Sequence, residues 1–279
     1  MKTAAVLSGA DRLDQWLVAH GHVATRREAQ VAIMAGLVTV DGHVADKPGR
    51  RITARMRVAI QRREDPYASR GGVKLAHALT AFGVDVRGKV AIDLGASTGG
   101  FTDCLLRAGA ARVYAVDVGR GQLSWRLRTD PRVVVLEGRN ARTLTPHDTG
   151  GARDIVTADL AFISLRLVWR PIAGLIAAAG SVIALVKPQF EAGRGKVGRG
   201  GVVRDPAVHR EVLREVLVAA GVSGLAAVGL TPSPILGPAG NIEFLVHLIP
   251  VRNASMPPDT IEEAVAQAHT RAPSRRSRR

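Results

Sequence analysis

Four charged residues, Lys74, Asp159, Lys187 and Glu243, have the types and the placement to do chemistry. Asp159 closes one apolar strand candidate, Lys187 closes the next, Glu243 stands near the start of a late one, and Lys74 lies on a helix candidate ahead of the first strand. Two amines and two carboxylates at strand ends suit proton removal from a very weak acid, such as a ribose 2′-hydroxyl, while its oxygen is held in line with a methyl sulfonium. A lysine does this when burial or a second cation favours its neutral form, and neighbouring carboxylates orient both amines. Lys187 is then the base or hydroxyl activator, Lys74 its cationic partner, and Asp159 and Glu243 the orienting acids. Any one of them alone reads equally well as an ordinary strand-end charge. Four at such positions are harder to set aside.

A methyl donor needs a cradle, and Asp93-Leu-Gly95-Ala96-Ser97-Thr98-Gly99-Gly100-Phe101 has that form: an apolar strand running into a glycine-rich turn and an amphipathic helix. The glycines let backbone N–H groups approach a ligand with no Cβ in the way. The turn is not the G-x-G-x-x-G that fits a pyrophosphate, so a cofactor without phosphates, S-adenosylmethionine, suits it better. Asp117 ends the next strand, where doubly wound folds place a carboxylate to grip the ribose hydroxyls. Asp93, Gly95, Ala96, Ser97, Thr98, Gly99, Gly100, Phe101 and Asp117 form the expected cofactor set.

The elements that must position these residues follow from periodicity. Strand candidates at 90–94, 113–117, 133–137, 155–159 and 182–187 alternate with helices, and 241–248 reads as a late strand. This rhythm predicts a doubly wound, mostly parallel, Rossmann-like α/β sheet with its site at the carboxyl ends of the strands. Asp205-Pro206 starts a helix with an N-cap and a proline at its first position. The loop 193–201, with Arg194, Lys196 and Arg199, reads equally as a closure over RNA or as a mobile surface loop.

Lysine and arginine total 39 against 24 acids in the 279 residues, a formal net charge of +15, which predicts a polyanionic partner. Basic residues cluster at 50–70, at Arg194, Lys196 and Arg199, and in the tail from Arg271 to Arg279. The N-terminal segment forms a unit with Leu13, Trp16 and Leu17 at helical spacing, Thr25 capping a second helix with Glu28, and Asp41-Gly42 making a hairpin turn. Arg26 and Arg27 gain little from the helix dipole in that first turn, so a role in presenting them to phosphate is attractive. The single cysteine, Cys104, excludes an intrachain disulfide, and the eight histidines lack metal-ligand spacing. No apolar run reaches bilayer length and no secretory signal is evident, so a cytoplasmic protein is expected, with neither membrane nor metal as partner.

Arg12-Leu-Asp, Thr25-Arg-Arg-Glu-Ala, Ala35-Gly-Leu-Val and Val40-Asp-Gly resemble the S4-type RNA-binding domain, a small α+β module, which makes Arg12, Arg26 and Arg27 the expected RNA contacts. Ser69-Arg-Gly-Gly-Val-Lys-Leu, the glycine turn, Thr157-Ala-Asp-Leu-Ala-Phe-Ile-Ser, Leu185-Val-Lys-Pro-Gln-Phe-Glu and Gly240-Asn-Ile-Glu together resemble the TlyA family, over nearly the whole chain. The resemblance implies an S-adenosylmethionine-dependent methyltransferase with an FtsJ-like catalytic domain. It implies cytidine 2′-O-methylation in 16S ribosomal RNA, with 23S as an open second substrate, and a tetrad at Lys74, Asp159, Lys187 and Glu243. The expected division is an S4-like domain at 9–61, a linker at 62–66, a methyltransferase domain at 67–252 and a basic, partly disordered tail at 253–279. The linker departs from the family pattern in lacking an aromatic residue.

Rival readings fare less well. A cytosine carbon-5 methylase needs a cysteine nucleophile, and Cys104 lies in the helix behind the turn. A haemolysin, a label this family has carried, would want a secretion signal, a spanning segment or a barrel pattern. A non-catalytic RNA-binding protein that kept a methyltransferase fold is the better non-enzyme rival, and the four charged positions argue against it.

Overall fold

The computed structural model describes residues 11–23, 25–34, 36–60, 66–198, 200–250 and 254–271. The chain forms two compact units, residues 1–64 and 65–279. The expected linker, apart from Pro66, and the last eight residues of the expected tail lie outside the described residues.

The first unit runs β1 (Asp11–Arg12), α1 (Leu13–Ala19), α2 (Arg26–Met34), β2 (Val38–Val40), β3 (His43–Val44), β4 (Arg51–Ile52) and β5 (Val58–Ile60). Leu13 and Leu17, then Ala29 and Ile33, recur four residues apart, so each helix turns one apolar stripe inward onto Val38, Val40, Ala45 and Ile52. The Thr25 hydroxyl accepts from the Glu28 N–H at 3.2 Å, capping α2 as its sequence predicts. Asp41 (φ +53°) and Gly42 (φ +81°) are both left-handed, the turn that joins β2 to β3 without splaying the strands.

The second unit runs α3 (Gly71–Phe82), β6 (Val90–Leu94), α4 (Gly100–Arg107), β7 (Arg112–Asp117), α5 (Trp125–Arg128), β8 (Val133–Glu137), β9 (Arg153–Ala158), α6 (Trp169–Leu175), β10 (Ile176–Val186), α7 (Pro188–Glu191), α8 (Pro206–Val222), β11 (Ala226–Pro232), β12 (Phe244–Ile249) and α9 (Thr260–Arg271). The seven strands lie in the order β11-β12-β10-β9-β6-β7-β8. Five run parallel, β6 to β10, whereas β12 is antiparallel to both β10 and β11. Chain order reverses between β6 and β9, which opens a crevice at their carboxyl ends.

Successive side chains of a strand face opposite sides, and the sequence of β10 uses this. Val182, Ala184 and Val186 enter one apolar layer, with Trp169, Leu213 and Val265 from α6, α8 and α9, while Ile183 and Leu185 enter the other, with Leu75 and Leu105 from α3 and α4. Fully burying a side chain of that size stabilises by about 1.5–3 kcal/mol. Trp169 keeps its polar end satisfied by donating from Nε1 to the Val216 carbonyl at 3.0 Å. Asp205 caps α8 through the Ala207 N–H at 2.8 Å, with Pro206 at the first helical position, as its sequence predicts.

Three elements differ from the sequence reading. The stretch expected as a partly disordered tail holds α9, because Ala264, Val265 and Ala268 repeat at helical spacing and are buried against the sheet's core layer. β11 has no counterpart in the expected strands: it is an edge strand carrying Gly229 and ending on Pro232, and both residues weaken a strand pattern. Lys187 falls just past β10 and caps the short helix α7.

Candidate active site

β6 ends into the glycine turn at the crevice. Gly95 has φ +83°, and a Cβ there would lie 2.6 Å from the Asp159 carbonyl, so only glycine lets the ends of β6 and β9 approach this closely. The Gly95 and Ala96 N–H groups both donate to the Val116 carbonyl, at 2.9 and 3.0 Å, which ties the turn to the neighbouring strand. Asp117, at the end of β7, accepts from the Ser97 N–H at 2.8 Å and from the Gly119 N–H at 2.7 Å.

Two adjoining cavities open here, of about 660 and 420 Å³, within the size range of small-ligand sites. Both touch Gly95, Ser97, Asp159, Ala161 and Phe162. The larger is also lined by Ala96, Thr98, Gly100, Phe101 and all of Lys74, Lys187 and Glu243; the smaller is lined by Asp117, Val118, Arg139, Asn140 and Leu160. The crevice thus offers a carboxylate and mixed polar and apolar walls at one end, and a cluster of charges at the other.

Two residues of the expected cofactor set lie behind the cradle and line neither cavity. Asp93 is fully buried and accepts from Thr102 Oγ1 at 2.7 Å and Thr157 Oγ1 at 3.0 Å, so its side chain braces the turn instead of touching a ligand. Burial pushes its carboxyl up to about 7, against the pull of those two hydroxyls. Gly99 faces the protein: a Cβ there would meet Leu127 Cδ1 at 2.2 Å. Its role is to let α5 close on the turn.

The four charged residues come together as two ion pairs. Lys74 Nζ lies 2.5 Å from Glu243 Oε2, and Lys187 Nζ lies 2.6 Å from Asp159 Oδ1. Strand register explains the meeting. Val186 of β10 is paired with Phe244 of β12, so the residue leaving one strand, Lys187, and the residue entering the other, Glu243, emerge side by side. Asp159 follows Ala158 of β9, itself paired with Ala184 of β10. Lys74 reaches in from the first turn of α3, whose N-terminus meets the same crevice at Gly71. The Lys74 and Glu243 side chains are buried, whereas Asp159 and Lys187 keep partial access to the cavity.

Several cavity residues were not picked out by spacing. Arg70 donates to the Leu236 carbonyl at 2.7 Å across the cavity wall. Phe162 has φ +63° and is 91% exposed, its ring 5.2 Å from that of Phe190, which in turn lies 5.9 Å from Lys187 Nζ. Arg139 and Asn140 follow β8, and their position after a third parallel strand end was the available signal. In the 193–201 loop, Lys196 pairs with Glu211 of α8; Arg199 lies outside the described residues. Cys104 is buried, and burial pushes its thiol up to about 12, so no cysteine nucleophile faces the cavities. Among the described residues no group of acids, histidines and cysteine could hold a metal ion.

In the first unit, Arg12 and Arg26 converge on the buried Asp14. Arg12 Nε lies 3.1 Å from Oδ1, Arg26 Nε 2.9 Å from Oδ2, and Gln30 Nε2 donates to Oδ2 at 3.2 Å. Burial pushes the Asp14 carboxyl up, and these donors together hold it well below the ordinary range. Arg27 is exposed.

A family model described as FtsJ-like methyltransferase matches residues 67–249, and one described as S4 domain matches residues 11–58. The chain is 44% identical over 263 residues to the 16S/23S rRNA (cytidine-2′-O)-methyltransferase TlyA of Mycobacterium tuberculosis, covering 94% of this chain and 98% of that one. It is 46% identical over 267 residues to YqxC of Bacillus subtilis, provisionally named an rRNA methyltransferase, covering 94% and 95%. A solved structure from Streptococcus thermophilus that carries a hemolysin name matches with a TM-score of 0.76 at 43% identity, covering 95% of this chain and 97% of that one. No helix among the described residues is long and apolar enough to cross a membrane.

Proposed function

This chain belongs to the TlyA family of methyltransferases, in which an S4 domain precedes an FtsJ-like domain, and on that premise we propose that it methylates the 2′-oxygen of cytidine in ribosomal RNA with S-adenosylmethionine as donor. The observation that carries the reading is the pair of ion pairs, Lys187–Asp159 and Lys74–Glu243, on the wall of a cavity continuous with the glycine turn. The hemolysin names are labels within the same family.

The residues present fit the cofactor. Asp117 stands where it can accept from the ribose hydroxyls, the glycine turn leaves backbone beside the smaller cavity, and the larger cavity holds the charges next to it. S-adenosylmethionine supplies a methyl group on a positively charged sulfur, which leaves as a neutral thioether when the carbon–oxygen bond forms.

The remaining steps fall to the protein. Asp159 holds Lys187 at the cavity wall, and Lys187 in its neutral form takes the proton of the 2′-hydroxyl as the oxygen bonds to the methyl carbon. Glu243 holds Lys74 in place on the wall of the same cavity. The exposed Phe162 ring at the cavity mouth offers an apolar face to a base taken out of its stack. In the 9–61 module, Arg26 is pinned to Asp14 through Nε with its Nη groups left to reach phosphate, Arg27 adds an exposed cation, and Arg12 chiefly secures Asp14. A ribosomal substrate gives the protein a cytoplasmic place of action.

The test is to incubate the purified chain with unmodified 30S and 50S subunits and labelled S-adenosylmethionine, and to identify the methylated nucleoside by mass spectrometry. Label in 2′-O-methylcytidine is the expected result. A base-methylated nucleoside, or no transfer to either subunit, overturns the reading.

A further inference from the structure

The pairing of β9 with β10 ends at Ala158 and Ala184, so register brings Asp159 and Lys187 near each other and the segments that follow must hold them in contact. The two segments that follow are instead joined by successive contacts. Lys187 meets Asp159 at 2.6 Å, and the Phe190 ring lies 5.2 Å from that of Phe162. Glu191 closes the series: its Oε2 accepts from Ser164 Oγ at 2.5 Å, and its Oε1 accepts from the Leu165 N–H at 2.8 Å. The Glu191 carbonyl also accepts from Arg166 Nη2 at 2.9 Å, and Arg166 Nη1 continues to Glu215 of α8 at 2.7 Å.

We infer that Glu191 is a positioning residue for methyl transfer: by clasping Ser164 and Leu165 it holds the loop carrying Asp159 and Phe162 in register with the turn carrying Lys187. This rests on the methyltransferase reading of that cavity. Glu191 is 4% exposed and lines neither cavity, so it touches no substrate. It sits in the same short helix that Lys187 caps, and Ser164 lies in the loop that leaves Asp159. The clasp therefore pins the far ends of the two segments whose near ends make the Lys187–Asp159 pair. Burial pushes the Glu191 carboxyl above its ordinary range, and the hydrogen bonds it accepts oppose that shift. An alanine would remove both acceptors and leave the Leu165 N–H without a partner.

The experiment compares the full chain with Glu191→Ala, Glu191→Gln, Ser164→Ala and the double variant, using ribosomal subunits as substrate and calorimetry for S-adenosylmethionine binding, below each protein's melting point. Glu191→Ala should lower kcat by about tenfold or more, as small misplacements of reacting groups do, with KM for both substrates and cofactor affinity within about twofold. Glu191→Gln should recover part of kcat, since a carboxamide keeps an acceptor for the Leu165 N–H but turns a donor toward Ser164 Oγ, which donates to Glu191 and already accepts from Arg166. Ser164→Ala should lower kcat less, and the double variant should be no worse than Glu191→Ala, because both act through one clasp. A folded Glu191→Ala protein with wild-type kcat, a loss confined to KM or cofactor affinity, or multiplying losses in the double variant would each overturn the inference. If Glu191→Ala does not fold, unchanged kcat in Ser164→Ala overturns it. A wild-type protein that transfers no methyl group to either subunit instead overturns the functional reading beneath it.

Discussion

Lys74 Nζ and Glu243 Oε2 lie 2.5 Å apart although 169 residues separate them, and both side chains are buried. Removing one partner of such a pair leaves an uncompensated charge in the interior, which costs about 3–5 kcal/mol. Glu243→Leu should therefore destabilise the fold by that order in urea unfolding, and adding Lys74→Met should restore most of the loss, since an apolar pair of similar volume needs no partner. A double variant as unstable as the single one would show that the pair does not carry the effect.

Lys187 separates chemistry from binding. Lys187→Ala should reduce methyl transfer to background while S-adenosylmethionine affinity stays near wild type, because the lysine faces the charged end of the larger cavity and the donor's ribose is assigned to the Asp117 end. Calorimetry beside a radiolabel assay reads both quantities. Equal loss of both would reject the role.

Asp117 makes the complementary case. Asp117→Ala removes the proposed ribose acceptor and frees the Ser97 and Gly119 N–H groups, so cofactor affinity should fall by at least about tenfold, the equivalent of one charged hydrogen bond. Affinity for ribosomal RNA measured without cofactor should not change. Unaltered cofactor binding would remove Asp117 from the site.

Asp93 predicts a pH dependence of stability. Its folded-state carboxyl is raised to about 7, mainly by burial, so the folded state holds a proton that the unfolded state releases in the ordinary carboxylate range. Its contribution is fully present below that ordinary range, declines by about 1.4 kcal/mol per pH unit as pH rises, and is lost through about pH 7. Asp93→Asn, neutral at every pH, should flatten this slope. Parallel stability curves for the two proteins between pH 5 and pH 8 would refute the assignment.

The first unit can be tested by salt dependence. Arg27→Glu should weaken ribosomal RNA binding and lower the slope of log affinity against log salt by about one or more, since a phosphate contact and its released counterion are lost. Arg12→Ala should act differently, lowering stability by stripping a donor from the buried Asp14. An Arg27→Glu protein with wild-type affinity and slope would detach this residue from RNA.

What the sequence made legible was local. Strands such as 90–94 and 133–137 stand out as short runs rich in Val, Ile and Leu before a turn, and they occur where expected. The four charged residues were legible as strand-end positions, whereas their pairing, Lys74 with Glu243 and Lys187 with Asp159, depends on register and on β12 running antiparallel. Asp93 looked like a cofactor ligand because its place beside the glycines does not reveal which way its side chain points; two threonines, one 64 residues distant, claim it. Phe162 was visible only as one letter of the 157–164 motif, since a lone aromatic in a loop has no period. The helix at 260–271 was hidden by the arginine-rich composition that follows it.

β12 is the last strand among the described residues and yet lies between β10 and β11, inside the sheet. Glu243 reaches the crevice only because that strand enters from the carboxyl ends of its neighbours and runs against them. On a ribosome synthesising this protein, the strands from β6 to β10 can be in place while the charge cluster still lacks its fourth member and Lys74 its counter-ion. The active centre of the nascent polypeptide is therefore complete only once β12 has been made and inserted between β10 and β11, a step that sets contacts of high sequence separation.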